Sequence, residues 1–217
     1  MQTEKDAFEI IDGNNNFSQQ ENDRLNALYD YLILDTPEEE EFDRLTQLAA
    51  IITEAPIALI TLIDKERQWF KSTFGTSLKS TRRQDAICNY ALQKKELLEI
   101  EDLRADARFN KSSIVTKEPK ARFYAGYPLI DPKGYALGTL CILDTKSRKL
   151  NNTQRIAIKT LAEVTVSHIL SRKTKADKDN FETLFMRSID LVCIAGSDGF
   201  LKKVFLSIPH CSNLKQC

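Results

Sequence analysis

Pro56-Ile57-Ala58-Leu59-Ile60-Thr61-Leu62-Ile63, then Asp64-Lys65-Glu66-Arg67, then Gln68-Trp69-Phe70-Lys71-Ser72-Thr73-Phe74, is the stretch on which the fold turns. The seven residues after the proline are apolar or β-branched on both alternating sets. That pattern belongs to a strand inside a covered sheet. The charged quartet reads as a turn, and Gln68 to Phe74 returns as a paired strand. Upstream, Thr36-Pro37-Glu38-Glu39 reads as a helix start, with Thr36 as N-cap, Pro37 in the first helical position and Glu39 completing a capping box. Phe42, Leu45, Leu48, Ala49 and Ile52 then share one face, and the helix must end before Pro56. Before it, Leu25, Leu28, Tyr29 and Leu32 form the apolar stripe of a shorter helix.

Downstream, Arg83 to Gln93 is expected to be helical and Leu97 to Glu101 a short strand. Residues 102–120 read as a long polar loop with a helical turn near Ala105 to Phe109. Phe123 to Ile130 and Tyr135 to Leu143 are two strands joined by Asp131-Pro132-Lys133-Gly134, in which the glycine permits a positive φ. Asn151 with Gln154 caps a last helix expected to run to about Asp179, burying Ile158, Leu161, Val164, Ile169 and Leu170. From Arg172 that helix is almost wholly polar. Helices outside a run of hairpin-joined strands give an α+β class: an antiparallel sheet of five to six strands, covered by helices, with a long C-terminal helix.

The 217 residues hold 31 Lys plus Arg against 31 Asp plus Glu, with 42% hydrophobic and 29% charged residues. The balance leaves no overall field to draw in nucleic acid or anionic lipid, so neither is expected as a partner. No apolar run approaches the roughly 20 residues of a membrane-spanning helix. Met1 to Phe17 lacks the basic and apolar regions of a signal peptide, and residues 1–19 read as a disordered lead-in. The cysteines (Cys88, Cys141, Cys193, Cys211 and Cys217) are odd in number with no C-x-x-C pair. They fit reduced thiols in a cytoplasmic protein.

Leu34-Asp35-Thr36-Pro37, Glu41-Phe42-Asp43, Pro56 to Ile60, Arg67 to Ser72, Arg122-Phe123-Tyr124-Ala125-Gly126 and Leu137 to Asp144 together resemble the GAF domains of bacterial multidomain sensors. The resemblance covers roughly residues 21–175. It implies a cavity beside the sheet for a small molecule of unstated identity, and a signal passed through terminal helices; the polar stretch from Arg172 reads as a helix leaving the domain, through which a homodimer is expected. Such domains usually stand upstream of PAS, histidine kinase or diguanylate cyclase domains. Phe181, Leu184, Asp190-Leu191-Val192-Cys193-Ile194-Ala195 and Ser197-Asp198-Gly199 resemble the beginning of a PAS domain. Phe205 to Cys217 departs from that pattern, and the remainder is too short for a domain of about 100 residues. The expected organisation is a lead-in (1–19), a GAF domain (20–175), a linker helix with a PAS-like start (176–204) and an aberrant tail (205–217) of a truncated or frame-shifted product.

Within the GAF pattern the residues expected to line the ligand site are Trp69, Phe70, Cys88, Tyr90, Phe109, Arg122 and Tyr124. Each has a plainer reading. Cys88 is either a packed small residue or a redox or ligand-contacting thiol, and Tyr90 stands where many relatives carry a histidine. Cys141 reads as core. Trp69, Phe70 and Phe74 read as sheet packing or as part of a binding box. Asp106 with Arg122 is a candidate pair for closing the cavity, Asp102 with Arg104 a structural pair. His168 fits helix packing better than phosphorylation.

No catalytic or metal-ligating set is expected, and no phosphate-binding glycine loop, H-E-x-x-H or nucleophile elbow is present. Asn110-Lys111 begins a cyclic-nucleotide signature that does not continue, and the Cys-His attachment pair of tetrapyrrole binders is missing. The expected function is therefore non-enzymatic sensing. The alternatives are a ligand-free structural or dimerisation module, or an enzyme like the free methionine sulfoxide reductases, for which Cys88 and Cys141 are the support.

Overall fold

Alternation along the central strands sorts the apolar side chains into two cores, one on each face of a single sheet. The computed structural model describes residues 18–187, 192–195 and 201–205. Six strands, β1 (Ile57–Ile63), β2 (Arg67–Phe74), β3 (Ser80–Arg82), β4 (Leu98–Ile100), β5 (Phe123–Ile130) and β6 (Ala136–Asp144), pair in the order β3-β2-β1-β6-β5-β4. Every pairing is antiparallel. Strand β3 was not legible in the sequence; three residues at an edge carry too little pattern to register.

On one face Ala58, Ile60, Leu62, Trp69, Phe123, Ala125, Leu140 and Ile142 pack under three helices. These are α1 (Gln19–Asp30), α2 (Glu40–Thr53) and the first part of α5 (Asn152–Arg187). On the other face Ile57, Leu59, Ile63, Phe70, Tyr124, Cys141 and Leu143 meet α3 (Cys88–Ala91), α4 (Ser113–Thr116) and the loop before β5. The chain divides into two compact units at Leu170/Ser171. In the second, β7 (Val192–Ala195) and β8 (Leu201–Phe205) form an antiparallel pair.

Local signals were read well where a side chain acts on its own turn. The Asn151–Gln154 capping box is closed in both directions, Gln154 N donating to Asn151 Oδ1 at 2.9 Å and Asn151 N to Gln154 Oε1 at 3.1 Å. Gly134 in the β5–β6 hairpin has φ +90°.

The start of α2 is a correction. The helix begins at Glu40, not after Thr36. The side chain of Lys71, fully buried on β2, donates to Thr36 Oγ1 (3.0 Å), Pro37 O (2.7 Å) and Glu39 Oε1 (2.6 Å). A buried ammonium must be paired and hydrogen-bonded, so this loop is held open around it.

The expected helix Arg83 to Gln93 is also broken. Arg83 turns inward onto Glu21 and the Asp64 carbonyl, the chain makes a 3-10 turn at Arg83–Asp85, and only Cys88–Ala91 is α-helical. Four side chains placed on buried faces by spacing alone are more than a third exposed: Tyr29, Leu32, Leu48 and Val164. Helix α5 runs past Asp179 to Arg187. Residues 1–17 of the expected lead-in and 206–217 of the expected tail lie outside the described residues, as do parts of the PAS-like start. Among the described residues no helix is long and apolar enough to cross a membrane.

Candidate functional site

Between the second face of the sheet, α3 and α4 lies a cavity of about 550 Å³. Its walls are apolar: Ile57, Leu59, Phe70, Ile87, Ile114 and Leu143. Its floor is polar and buried. Cys88 Sγ accepts from Gln68 Nε2 and from Tyr124 Oη, both at 3.3 Å, and lies 3.6 Å from Cys141 Sγ. Thr61 and Thr139, opposite each other on β1 and β6, share a hydroxyl hydrogen bond of 3.0 Å beside the thiols. Gly75, Leu78, Asp85, Ser113, Lys117 and Glu118 are the exposed residues of the rim. A larger open depression of about 660 Å³ near Tyr29, Asp64, Arg67 and Arg82 is lined by side chains already paired, Tyr29 and Arg67 with Asp64 and Arg82 with Asp85.

The strand period explains who reaches the cavity. Gln68 and Phe70 are two apart on β2 and face it, whereas Trp69 between them belongs to the opposite core. Tyr124 and Gly126 are likewise two apart on β5. A Cβ at Gly126 would sit 2.2 Å from Tyr124 Oη, so the missing side chain is what lets the tyrosine ring lie along the sheet toward Cys88.

Burial pushes the Cys88 thiol up, but hydrogen bonds from Cys141, Thr139, Tyr124 and Thr61 outweigh it and bring it below the ordinary thiol value. Cys141 is raised, by its bond with Cys88 and by burial.

Of the residues expected at the site, the structure brings Phe70, Cys88 and Tyr124 together around the cavity. Tyr90 and Phe109 meet each other instead, edge to face at 4.9 Å, with the Arg108 guanidinium over both rings. Arg122 donates to the carbonyls of Val115 and Ala121. Asp106 pairs with Arg108 at 2.6 Å, so the expected Asp106–Arg122 closure is not formed. His168 packs edge-on against Phe42 at 6.0 Å. Among the residues missed were Gln68, Leu59, Ile87, Ile114 and Leu143, and Cys141, expected as core, also lines the cavity. Period-two alternation from Phe70 would have found Gln68.

The loop that carries α4 is tied at its start to the chain entering α5. Asp102 accepts from Arg104 (2.6 Å) and Ser147 (2.8 Å), Arg148 N donates to Glu101 O, and Glu99 holds Arg155 at 2.8 Å. Among the described residues no group of three or more His, Cys, Asp or Glu is set to hold a metal ion.

Comparison with known proteins agrees with this architecture. The chain is 38% identical over 116 residues to the cyclic di-GMP phosphodiesterase PA2567 of Pseudomonas aeruginosa, a match covering 54% of this chain and about a fifth (20%) of that protein. The GAF domain of a phosphoenolpyruvate-protein phosphotransferase from Acinetobacter superposes with a TM-score of 0.53 at 14% identity, over 74% of this chain and 99% of that one. Residues 122 to 287 of a methyl-accepting chemotaxis protein superpose with a TM-score of 0.51 at 15% identity, over 70% and 99%. The family model for the GAF domain matches residues 37–169, more than half of the sequence, and the chain belongs to the GAF domain family.

Proposed function

We propose that this domain is a regulatory sensor whose cavity takes a small, mostly apolar, uncharged molecule, and that it works within a larger bacterial signalling protein. The observation that carries the reading is the cavity itself. Its apolar wall sets the bulk of the ligand, and the Gln68, Tyr124 and Cys88 groups at the floor set its orientation. No charged side chain lines the floor; Asp85, Lys117 and Glu118 are at the exposed rim. An anionic ligand would be stripped of water there without a partner, a large penalty.

Occupancy can reach α5 by two routes. Cys141 and Leu143 touch the cavity, while Leu140 and Ile142 between and beside them pack in the same core as Ile158, Leu161 and Ala162 of α5. The loop over the cavity is tied through Asp102 and Ser147 to the segment before α5. Ligand binding shifts the helix only as far as the ligand discriminates between its two settings. The partial match to a phosphodiesterase that is much longer than this chain supports a regulatory role in front of an output domain.

A thermal-shift screen of uncharged metabolites tests the reading. A ligand present at 100 times its dissociation constant adds about 2.7 kcal/mol of stability. Leu78→Asp at the exposed rim is expected to abolish that shift while changing the stability of the free protein by less than about 0.5 kcal/mol. A domain that binds nothing returns the choice to a ligand-free structural module, and one that binds anions alone overturns the uncharged ligand class.

A further inference from the structure

Three polar groups, Gln68 Nε2, Tyr124 Oη and Cys141 Sγ, lie within hydrogen-bonding distance of one buried sulfur, more than a cysteine serving as a small apolar filler requires. Cys88 opens α3, which is only four residues long and follows a 3-10 turn. Cys141 is fixed in β6, hydrogen-bonded to β1 on one side and β5 on the other. Both thiols are free, line the cavity and lie 3.6 Å apart.

We propose that Cys88 and Cys141 form a redox modification site, at which a hydroperoxide entering the cavity converts the two thiols to an intramolecular disulfide. In the first step the Cys88 sulfur attacks the peroxide. A sulfur–oxygen bond forms, the oxygen–oxygen bond breaks, and the thiol proton leaves on the released alcohol or water. Cys88 is now a sulfenic acid. In the second step Cys141 attacks that sulfur: the sulfur–sulfur bond forms, the sulfur–oxygen bond breaks, and the hydroxyl departs as water with the Cys141 proton. Two thiols have lost two electrons and two hydrogens, and the peroxide has been reduced.

The geometry assigns the roles. Tyr124 Oη and Gln68 Nε2 donate to the Cys88 sulfur and hold it as the attacking group. The sulfurs must approach by roughly 1.5 Å to reach a bond of about 2.05 Å. The short α3 is the element free to make that movement, since β6 is anchored on both sides. Closure draws α3 onto the sheet, takes the acceptor from Tyr124 and Gln68, and narrows the cavity. The reaction does not require the cavity to bind a signal ligand, and its test reads the bond, not ligand affinity.

The full chain is treated with graded hydrogen peroxide, its remaining thiols are alkylated, and it is digested without reduction. The expected product is tryptic peptide 84–94 linked to peptide 134–146 with the loss of two hydrogens, restored by dithiothreitol. Cys141→Ala is expected to leave a Cys88 sulfenic acid trapped by dimedone, and Cys88→Ala to remove both products. Cys193, Cys211 and Cys217 report the oxidant dose within the same molecule. If both thiols still alkylate fully when those three are oxidised, or if Cys88 links to one of them, the proposal is overturned. The mapping uses the unsubstituted protein, so it stands even if either variant misfolds.

Discussion

At the scale of single residues, the site depends on polar groups that burial makes costly unless they are paired. Gly126 is the least conspicuous of its determinants. Gly126→Ala pushes a methyl group into the Tyr124 ring, and overpacking of this kind costs about 1–3 kcal/mol. Tyr124→Phe removes only the hydrogen bond to Cys88 and is expected to cost less. Urea unfolding of the two variants checks the order, and an unchanged midpoint for Gly126→Ala would remove the glycine from the argument. Glu21 is the other residue of consequence: wholly buried, it accepts from Arg24 (2.8 and 2.9 Å) and Arg83 (2.7 Å). Burial pushes its carboxyl up, but the two guanidiniums win and hold it below the ordinary value of about 4.5. A depressed native value adds stability above that pH, and the gain disappears as the pH falls through the native value. The melting temperature of Glu21→Gln should therefore lie well below that of the parent at neutral pH. The gap should narrow progressively below about pH 4.5. Breaking a buried pair from one side costs about 3–5 kcal/mol, so the neutral-pH gap is large. The Arg24 pairing of Glu21 is local, but its burial depends on Arg83, 62 positions away, which nothing in the sequence marked.

At the scale of elements, what could be read in advance followed range of interaction. Strands β1, β5 and β6 came from continuous apolar runs, and the capping box of α5 from two residues three apart. The start of α2 failed because a long-range ligand, Lys71, overrode a good local cap. Helix α3 was overestimated for the same reason, Arg83 being drawn inward. Trp69 was assigned to the cavity although its neighbour Phe70 was too, and adjacent strand residues cannot both face one side. The loop from Asp102 is legible as a long polar loop, but its tie to Ser147 is a contact across 45 positions. Asp102→Ala should free this loop. Amide exchange across residues 102–120 and at the start of α5 is expected to quicken together, with little change in melting temperature. Faster exchange in the loop alone would show that the tie does not carry movement to α5.

At the scale of the whole molecule, the sheet divides labour between its faces: one is filled solidly under α1, α2 and α5, and the other keeps a hollow. The helices of the solid side leave several apolar side chains in water. Leu48 and Ile51 on α2 and Ile156 and Val164 on α5 are all more than a third exposed, at 43%, 62%, 57% and 37%. The two helices are neighbours, since Gln154 Nε2 on α5 donates to Ile52 O on α2. Spacing had placed Leu48 and Val164 in the core; a helix bundle formed by two copies would satisfy the same spacing from outside. We therefore propose that the domain dimerises through α2 and α5. Light scattering of the full chain should then show a concentration-dependent dimer, and Ile51→Lys with Ile156→Glu should return it to monomer without unfolding it. Surface substitutions of this kind alter the folded monomer by less than about 0.5 kcal/mol, so any larger loss of stability would come from dissociation and would vanish on dilution of the parent. A parent that stays monomeric throughout the micromolar range would show that these four side chains are merely exposed.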